Sequence, residues 1–187
     1  MKIPCELSVR HVHISEQHAQ VLFGGELGFV RELSQPGQFL SDKRVDLVTP
    51  KATIKGVAVL APYRKQTQVE ISRSDCFTLG LKNVPVRQSG DLENTPGIIL
   101  RSQLGEVTID SGVVVAQRHI HMTPKVADEK NLVDNQIVSL RFGGKRGGTL
   151  ENVVVRVDEN YAPMAHIDSD EANALGFVGG ECEIVYN

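Results

Sequence analysis

The feature that most restricts how this chain can fold is a phrase written twice. "RHVHI" (Arg10–Ile14) and "RHIHM" (Arg118–Met122) each carry a His-x-His pair, and together they use four of the six histidines in the 187-residue sequence. The flanks repeat as well. "SVRHVHISEQHA" lies on "AQRHIHMTPKVA", with Ser15 falling on Thr123. Both are good helix N-caps, and Pro124 occupies the first helical position, where its missing N–H costs nothing. Each His-x-His pair is therefore expected at the end of a strand that runs into a short capped helix. A second match follows, "VEISRSDCFTLG" (69–80) on "AHIDSDEANALG" (165–176). Ser72 and Asp168 are the candidate caps, Asp75 and Glu171 complete a capping-box pattern, and Gly80 and Gly176 close the helices. This alignment puts Glu70 opposite His166. The two offsets differ, so the first half holds an extra loop, expected around "GGELGFVRELSQPGQFL" as a small inserted strand pair near 23–43. The repeat predicts a duplicated fold in which each copy carries a site.

Between the repeats, short Val/Ile runs such as "VDLVTP", "IKGVAVLAP", "GVVVAQ" and "NVVVRV" are punctuated by Gly, Pro and Asn, the texture of a mainly β protein with few short helices. The Gly-rich "RFGGKRGGTL" reads as a hairpin turn. A formal net charge of −3 argues against an electrostatic nucleic-acid binder. No apolar run approaches a membrane span, and "MKIPCELSV" lacks the apolar stretch of a secretory signal. Cys5, Cys76 and Cys182 are scattered and odd in number, which points to reduced thiols in a cytoplasmic protein. Cys76, whose repeat partner is Ala172, is expected to pack its helix.

Alternate residues of a strand face the same way, so a His-x-His strand aims two imidazoles at one point while Val12 or Ile120 packs to the other side. A third side chain from a distant strand would complete three protein ligands and leave an open position, the pattern of catalytic zinc. The candidate sets are His11, His13 and Glu70 in one half, and His119, His121 and His166 in the other. Imidazole and carboxylate donors also suit iron, nickel or cobalt. His18 is read as surface. Arg64 stands six positions before Glu70; on one continuous strand this even spacing would put it on the ligand face as a bidentate phosphate clamp, the alternative being a surface cation.

At this point the motifs become specific. "RHVHIS", "LSQPGQFL", "TQVEIS", "TPGIILRSQLG", "VVVAQRHIHMTP" and "HIDSDEANA", in this order over nearly the whole chain, resemble the PduL-type phosphotransacylases, the phosphate propanoyltransferases. The resemblance implies two similar β-barrel domains capped by short α-helices. Residues 10–112 would form the first barrel, and 1–9 plus 113–187 the second. It also implies a dinuclear zinc site: one zinc on His11, His13 and Glu70 with the coenzyme A sulfur as a further ligand, the other on His119, His121 and His166. Arg64 matches the phosphate-binding arginine, and Ser8 and Asn173 fall where coenzyme A contacts are expected. Members that work inside bacterial microcompartments carry an amphipathic extension before the first His-x-His strand. This N-terminus does not support encapsulation, so a cytoplasmic location is expected unless an extension has been removed.

The implied reaction interconverts a short-chain acyl-CoA (propanoyl-CoA or acetyl-CoA) plus phosphate with acyl phosphate plus coenzyme A. No Ser-His or Cys-His couple is written in the sequence, so direct attack by phosphate is expected, without an acyl-enzyme. The rival reading is a dinuclear zinc hydrolase of a thioester or phosphoester. The partners expected are small molecules, with neither nucleic acid nor membrane. A homodimer is compatible with an exposed barrel face, although no seam is written in the sequence.

Overall fold

The Val/Ile runs become strands, and the capped segments become four helices of six to eight residues. The computed structural model describes residues 1–186. Its first part holds β1 (Lys2–Ser8), β2 (His11–Ser15), α1 (Glu16–Phe23), β3 (Phe29–Glu32), β4 (Phe39–Val48), β5 (Thr53–Arg64), β6 (Gln68–Ile71), α2 (Arg73–Leu79), β7 (Val86–Arg87), β8 (Ile98–Arg101), β9 (Glu106–Ile109) and β10 (Val113–Ala116). There follow β11 (His119–Met122), α3 (Pro124–Glu129), β12 (Ile137–Phe142), β13 (Gly148–Val157), β14 (Met164–Asp168), α4 (Ser169–Leu175) and β15 (Gly180–Val185). Among the described residues, no helix is long and apolar enough to cross a membrane.

The caps form as the repeat predicts. Ser15 and Thr123 accept from backbone N–H groups in the first turns of α1 and α3. Ser72 and Asp168 form reciprocal capping boxes with Asp75 and Glu171. Gly80 and Gly176, at φ of 72° and 62°, end α2 and α4 in the left-handed conformation that glycine adopts without a Cβ clash.

The chain divides into two compact units. One comprises Arg10–Leu33 and Gly37–Ala116; the other comprises Met1–Val9, Ser34–Pro36 and the chain from Gln117 onward. The first is an open sheet of nine strands curled as a half-barrel, ordered β7-β10-β6-β2-β5-β4-β8-β9, with β3 hairpinned onto β4. That hairpin, whose tip is Ser34–Pro36, lies within the span expected for the insertion. Val12, Ile14, Leu22, Leu47, Val59, Val69 and Leu100 fill this unit's core. The second unit is a closed six-stranded barrel, β1-β14-β11-β13-β12-β15, packed inside with Ile3, Ile120, Met122, Leu140, Ile167 and Ile184.

The mainly β, duplicated architecture is as expected, and the two units differ in how far each sheet closes. Only the second unit closes, because β15 pairs with both β12 and β1. In the first unit β8 pairs with β4, but its other edge is taken by β9, leaving one backbone bond, Val113 N–H to Pro96 O at 3.0 Å, to reach toward β10. The division also falls after Ala116, not after 112, because Val113–Ala116 pairs in parallel with β6 and β7. A reciprocal exchange results. β14 lies between β1 (parallel) and β11 (antiparallel), as β6 lies between β10 and β2. Each His-x-His strand is thus preceded in the chain by a strand that belongs to the other unit.

Candidate active site

Strand alternation settles where the two histidine pairs point. Val12 and Ile120 are wholly buried in the two cores, so their neighbours emerge on the opposite face. Antiparallel pairing then supplies the third member: Glu70 stands directly across from His11, and His166 directly across from His119. In each group the candidate ligand atoms lie within 4.8 Å of one another. His11 Nε2 is 3.6 Å from Glu70 Oε2, and His13 Nε2 is 3.8 Å from Glu70 Oε1. In the other group the ring centroids of His119, His121 and His166 are 4.5 to 4.9 Å apart.

The neighbouring residues orient these side chains. Gln68, buried and in register with His13, donates from Nε2 to Glu70 and to Ser89 Oγ, and accepts from Gly90 N–H at 2.8 Å. His119 Nδ1 lies 2.8 Å from Gln117 O, an acceptor, which fixes the tautomer that leaves Nε2 as the lone-pair nitrogen. His166 Nδ1 lies 3.3 Å from Glu6 Oε1, and Ser34 Oγ donates to the same carboxylate oxygen. Glu6 is in register with His166 on the parallel side of β14; its counterpart beside Glu70 is Val114. The difference follows from chemistry, since an imidazole ligand has a second nitrogen to anchor and a carboxylate does not.

Burial strips water from His13 and His121 and disfavours their charged forms. It pushes His13 down to about 3, with the neighbouring His11 and Arg64 adding to the effect. It pushes His121 down to about 2, reinforced by His119, His166 and Arg156. Neutral imidazole is the form that ligates metal. His121 also buries both ring nitrogens without a hydrogen-bonding partner, as His13 does its Nδ1, an expensive arrangement unless a cation supplies the missing interaction. A set of two histidines with a glutamate and a set of three histidines each match the three-ligand pattern of catalytic zinc. The residues present fit the metal that the resemblance implies.

Arg64 reaches this neighbourhood by a different route from the one its spacing suggests. Lys65–Thr67 breaks the strand, so Arg64 ends β5 while Glu70 lies in β6, and parity along one strand does not apply. Instead β5 runs parallel to β2, which brings exposed Arg64 opposite Ser15 and close enough to disfavour protonation of His13. Ser8 ends β1 opposite Asp168, the cap of α4, and Asn173 lies on the exposed side of α4. His18 is half-buried, not at the surface, and its Nδ1 lies 2.8 Å from Thr67 Oγ1. Cys76 packs α2 as expected, and Ala172 packs α4.

Several supporting residues carried little or no signal in the sequence. Arg10 pairs with Asp75, and Arg118 with Glu171, tying the start of each His-x-His strand to the helix that follows the third side chain. The signal was present, since the arginine repeats along with the histidines. Gln68, Glu6, Arg156 and Tyr161 have no counterpart in the repeat and become visible only through strand register. Tyr161 lies against His121 with centroids 4.0 Å apart, and Arg156 is in register with His121 across the parallel β11–β13 pair.

Comparison with known proteins agrees with this geometry. Residues 4–178 match the phosphate propanoyltransferase family. Proteins named phosphate propanoyltransferase are 48% identical in Alkaliphilus metalliredigens (96% of this chain, 85% of that protein) and 49% identical in Clostridioides difficile (95% and 86%). One from Thermotoga maritima is 47% identical over 90% of this chain and 81% of its own length. The chain belongs to the phosphate propanoyltransferase family, a family of acyltransferases.

Proposed function

We propose that the chain transfers a short acyl group, propanoyl or acetyl, between coenzyme A and inorganic phosphate, using two zinc ions, one in each ligand set. The observation that carries this reading is the repeated convergence, in a member of this family, of a His-x-His pair and a side chain from the antiparallel neighbour to within 4.8 Å. His11, His13 and Glu70 would hold one ion, and His119, His121 and His166 the other. When bound, zinc supplies Lewis acidity, stabilising charge that develops on sulfur and oxygen.

The chain's own residues do the rest. Phosphate is a weak nucleophile, so its orientation carries much of the rate enhancement. Arg64, at the free end of β5, offers a planar fork of donors suited to two phosphate oxygens. Ser8 and Asn173 are placed in this reading against coenzyme A. A phosphate oxygen attacks the thioester carbonyl carbon, the C–S bond breaks, and coenzyme A leaves as the thiolate.

In this reading no covalent nucleophile is needed. Cys5, Cys76 and Cys182 are all buried, and the hydrogen bond with Cys182, helped by burial, pushes the Cys5 thiol upward, away from thiolate. The Thr67 hydroxyl beside His18 is buried and already accepts from Ser15 N–H at 2.9 Å, a structural tie. These features favour direct displacement. The test is to trap propanoyl phosphate as its hydroxamate after mixing zinc-loaded protein, propanoyl-CoA and phosphate. Wild-type protein should form it, and His11→Ala and His119→Ala should lose it. Exchange of labelled coenzyme A into propanoyl-CoA without phosphate would indicate an acyl-enzyme and contradict direct attack.

A further inference from the structure

We propose that Arg156 is a second phosphoryl-binding residue, holding an oxyanion beside His121 with Tyr161 as the platform under its guanidinium. The inference rests on the acyltransfer reading above and adds to it a residue in the second unit. Parallel pairing of β11 with β13 puts Arg156 directly beside His121, on the strand edge next to the three-histidine set. Its guanidinium carbon lies 5.6 Å from the centroid of Tyr161, whose ring in turn lies 4.0 Å from that of His121. Arginine, aromatic ring and ligand histidine thus form one continuous stack.

Burial and charge together separate this arginine from Arg118, Arg141 and the exposed Arg146 of its unit. Arg118 is spent on Glu171 and Arg141 on Glu183. Arg156 is half-buried, yet among the described residues no carboxylate pairs with it and no backbone oxygen accepts from it. A partly desolvated guanidinium with no counter-charge is an anion site waiting for its anion. The ligands around it are three imidazoles, whereas the other set contains the carboxylate of Glu70. Glu6, the acid paired with this set, is on the Nδ1 side of His166 and is engaged there by Ser34 as well.

The duplicated backbone does not require an arginine here. At the matching place in the first unit, in register with His13 across β2–β5, stands Leu60. The ring beneath Arg156 restricts its rotamers and leaves its edge donors free for a tetrahedral oxyanion. The chemistry recognised is a phosphoryl oxyanion, which either inorganic phosphate or the phosphate groups of coenzyme A could bring.

The experiment measures KM for phosphate and for coenzyme A separately in Arg156→Ala and Arg156→Lys. Calorimetric binding of inorganic phosphate to each zinc-loaded protein is measured alongside, with zinc content and thermal melting as controls. Loss of a charge-assisted pair should raise KM and Kd for phosphate by about tenfold or more in Arg156→Ala. Lysine, keeping the charge but losing the fork, should recover part of the loss. KM for coenzyme A should stay within roughly twofold of wild type, below the cost of a lost charged contact. Tyr161→Phe should retain phosphate binding and Tyr161→Ala should weaken it. Unchanged phosphate KM and Kd in a folded, zinc-loaded Arg156→Ala would overturn the proposal, and a rise confined to coenzyme A would overturn the assignment to the reacting phosphate. If wild-type protein turns over without phosphate, the acyltransfer reading fails by itself, and calorimetric loss of phosphate binding in Arg156→Ala would still support the anion site.

Discussion

Arg10 grips Asp75 through two contacts, Nε to Oδ2 at 3.0 Å and a terminal nitrogen to Oδ1 at 2.9 Å. Arg10 immediately precedes His11, and Asp75 lies five residues beyond Glu70, in the first turn of the helix that Glu70's strand enters. The ion pair therefore fixes the third side chain relative to the first two. The closed barrel repeats the device, with an Arg118 terminal nitrogen 2.6 Å from Glu171 Oε1 and Arg118 Nε donating to Glu151 O.

If these pairs act as struts for the ligand sets, breaking one should cost metal affinity beyond its effect on folding. On the proposed reading, Arg10→Ala is expected to weaken zinc binding at His11, His13 and Glu70 by about 10- to 100-fold, the range for partners that orient ligands, and to leave the three-histidine set unchanged. Arg10→Lys should fall between, because an ammonium cannot reproduce the two-point contact. Competition with a chromophoric chelator reads both sites. A uniform loss at both, tracking the melting temperature, would reduce the pair to a fold contact.

Glu6 and His166 form the corresponding relationship inside the three-histidine set. Glu6→Ala removes the acceptor that holds His166 Nδ1 and should lower affinity for that zinc by about tenfold or more. Glu6→Gln keeps an acceptor oxygen and should lose less. Proton NMR of the imidazole Nδ1–H in zinc-loaded protein checks the cause, since that resonance should broaden or vanish only in the alanine variant.

Acid should destabilise the zinc-free protein over a defined window. In the folded state His13 and His121 protonate only near 3 and 2, whereas in the unfolded chain a histidine protonates near 6.5. Between those limits the unfolded chain binds more protons, so stability is full above about pH 6.5 and declines as pH falls toward 3. Urea melts of chelated protein at a series of pH values should show this slope, and His121→Gln should flatten it. Stability independent of pH from 7 to 4 would contradict the buried, neutral state of these rings.

The repeat made the ligand sets legible because everything needed is local: strand alternation, two caps and one antiparallel neighbour. What was not legible depends on pairing between distant segments. "VVVA" (113–116) is apolar enough to join either unit, and only its parallel partners β6 and β7 decide the matter. Arg64 was placed near the histidines on the assumption of an unbroken strand. It lies close to His13 because β5 runs alongside β2, with a turn between it and Glu70. Glu6, Arg156 and Tyr161 lack repeat partners, and each touches the three-histidine set through pairing or packing found in one unit only.

Ile120, wholly buried between His119 and His121, ties the second ligand set to the barrel core. Ile120→Ala should destabilise the protein by about 2–5 kcal/mol, the range for truncating a large aliphatic side chain in a packed core. Chemical denaturation monitored by circular dichroism measures it, and a loss below about 1 kcal/mol would mean that this side of the strand is not packed.

The most direct test of the whole account is the release of free thiol from propanoyl-CoA by the zinc-loaded protein, followed with and without phosphate and after chelation. The account predicts release that requires phosphate and stops when metal is removed. Release at the same rate without phosphate would mean that water is the nucleophile, and would contradict the acyltransferase reading of this chain.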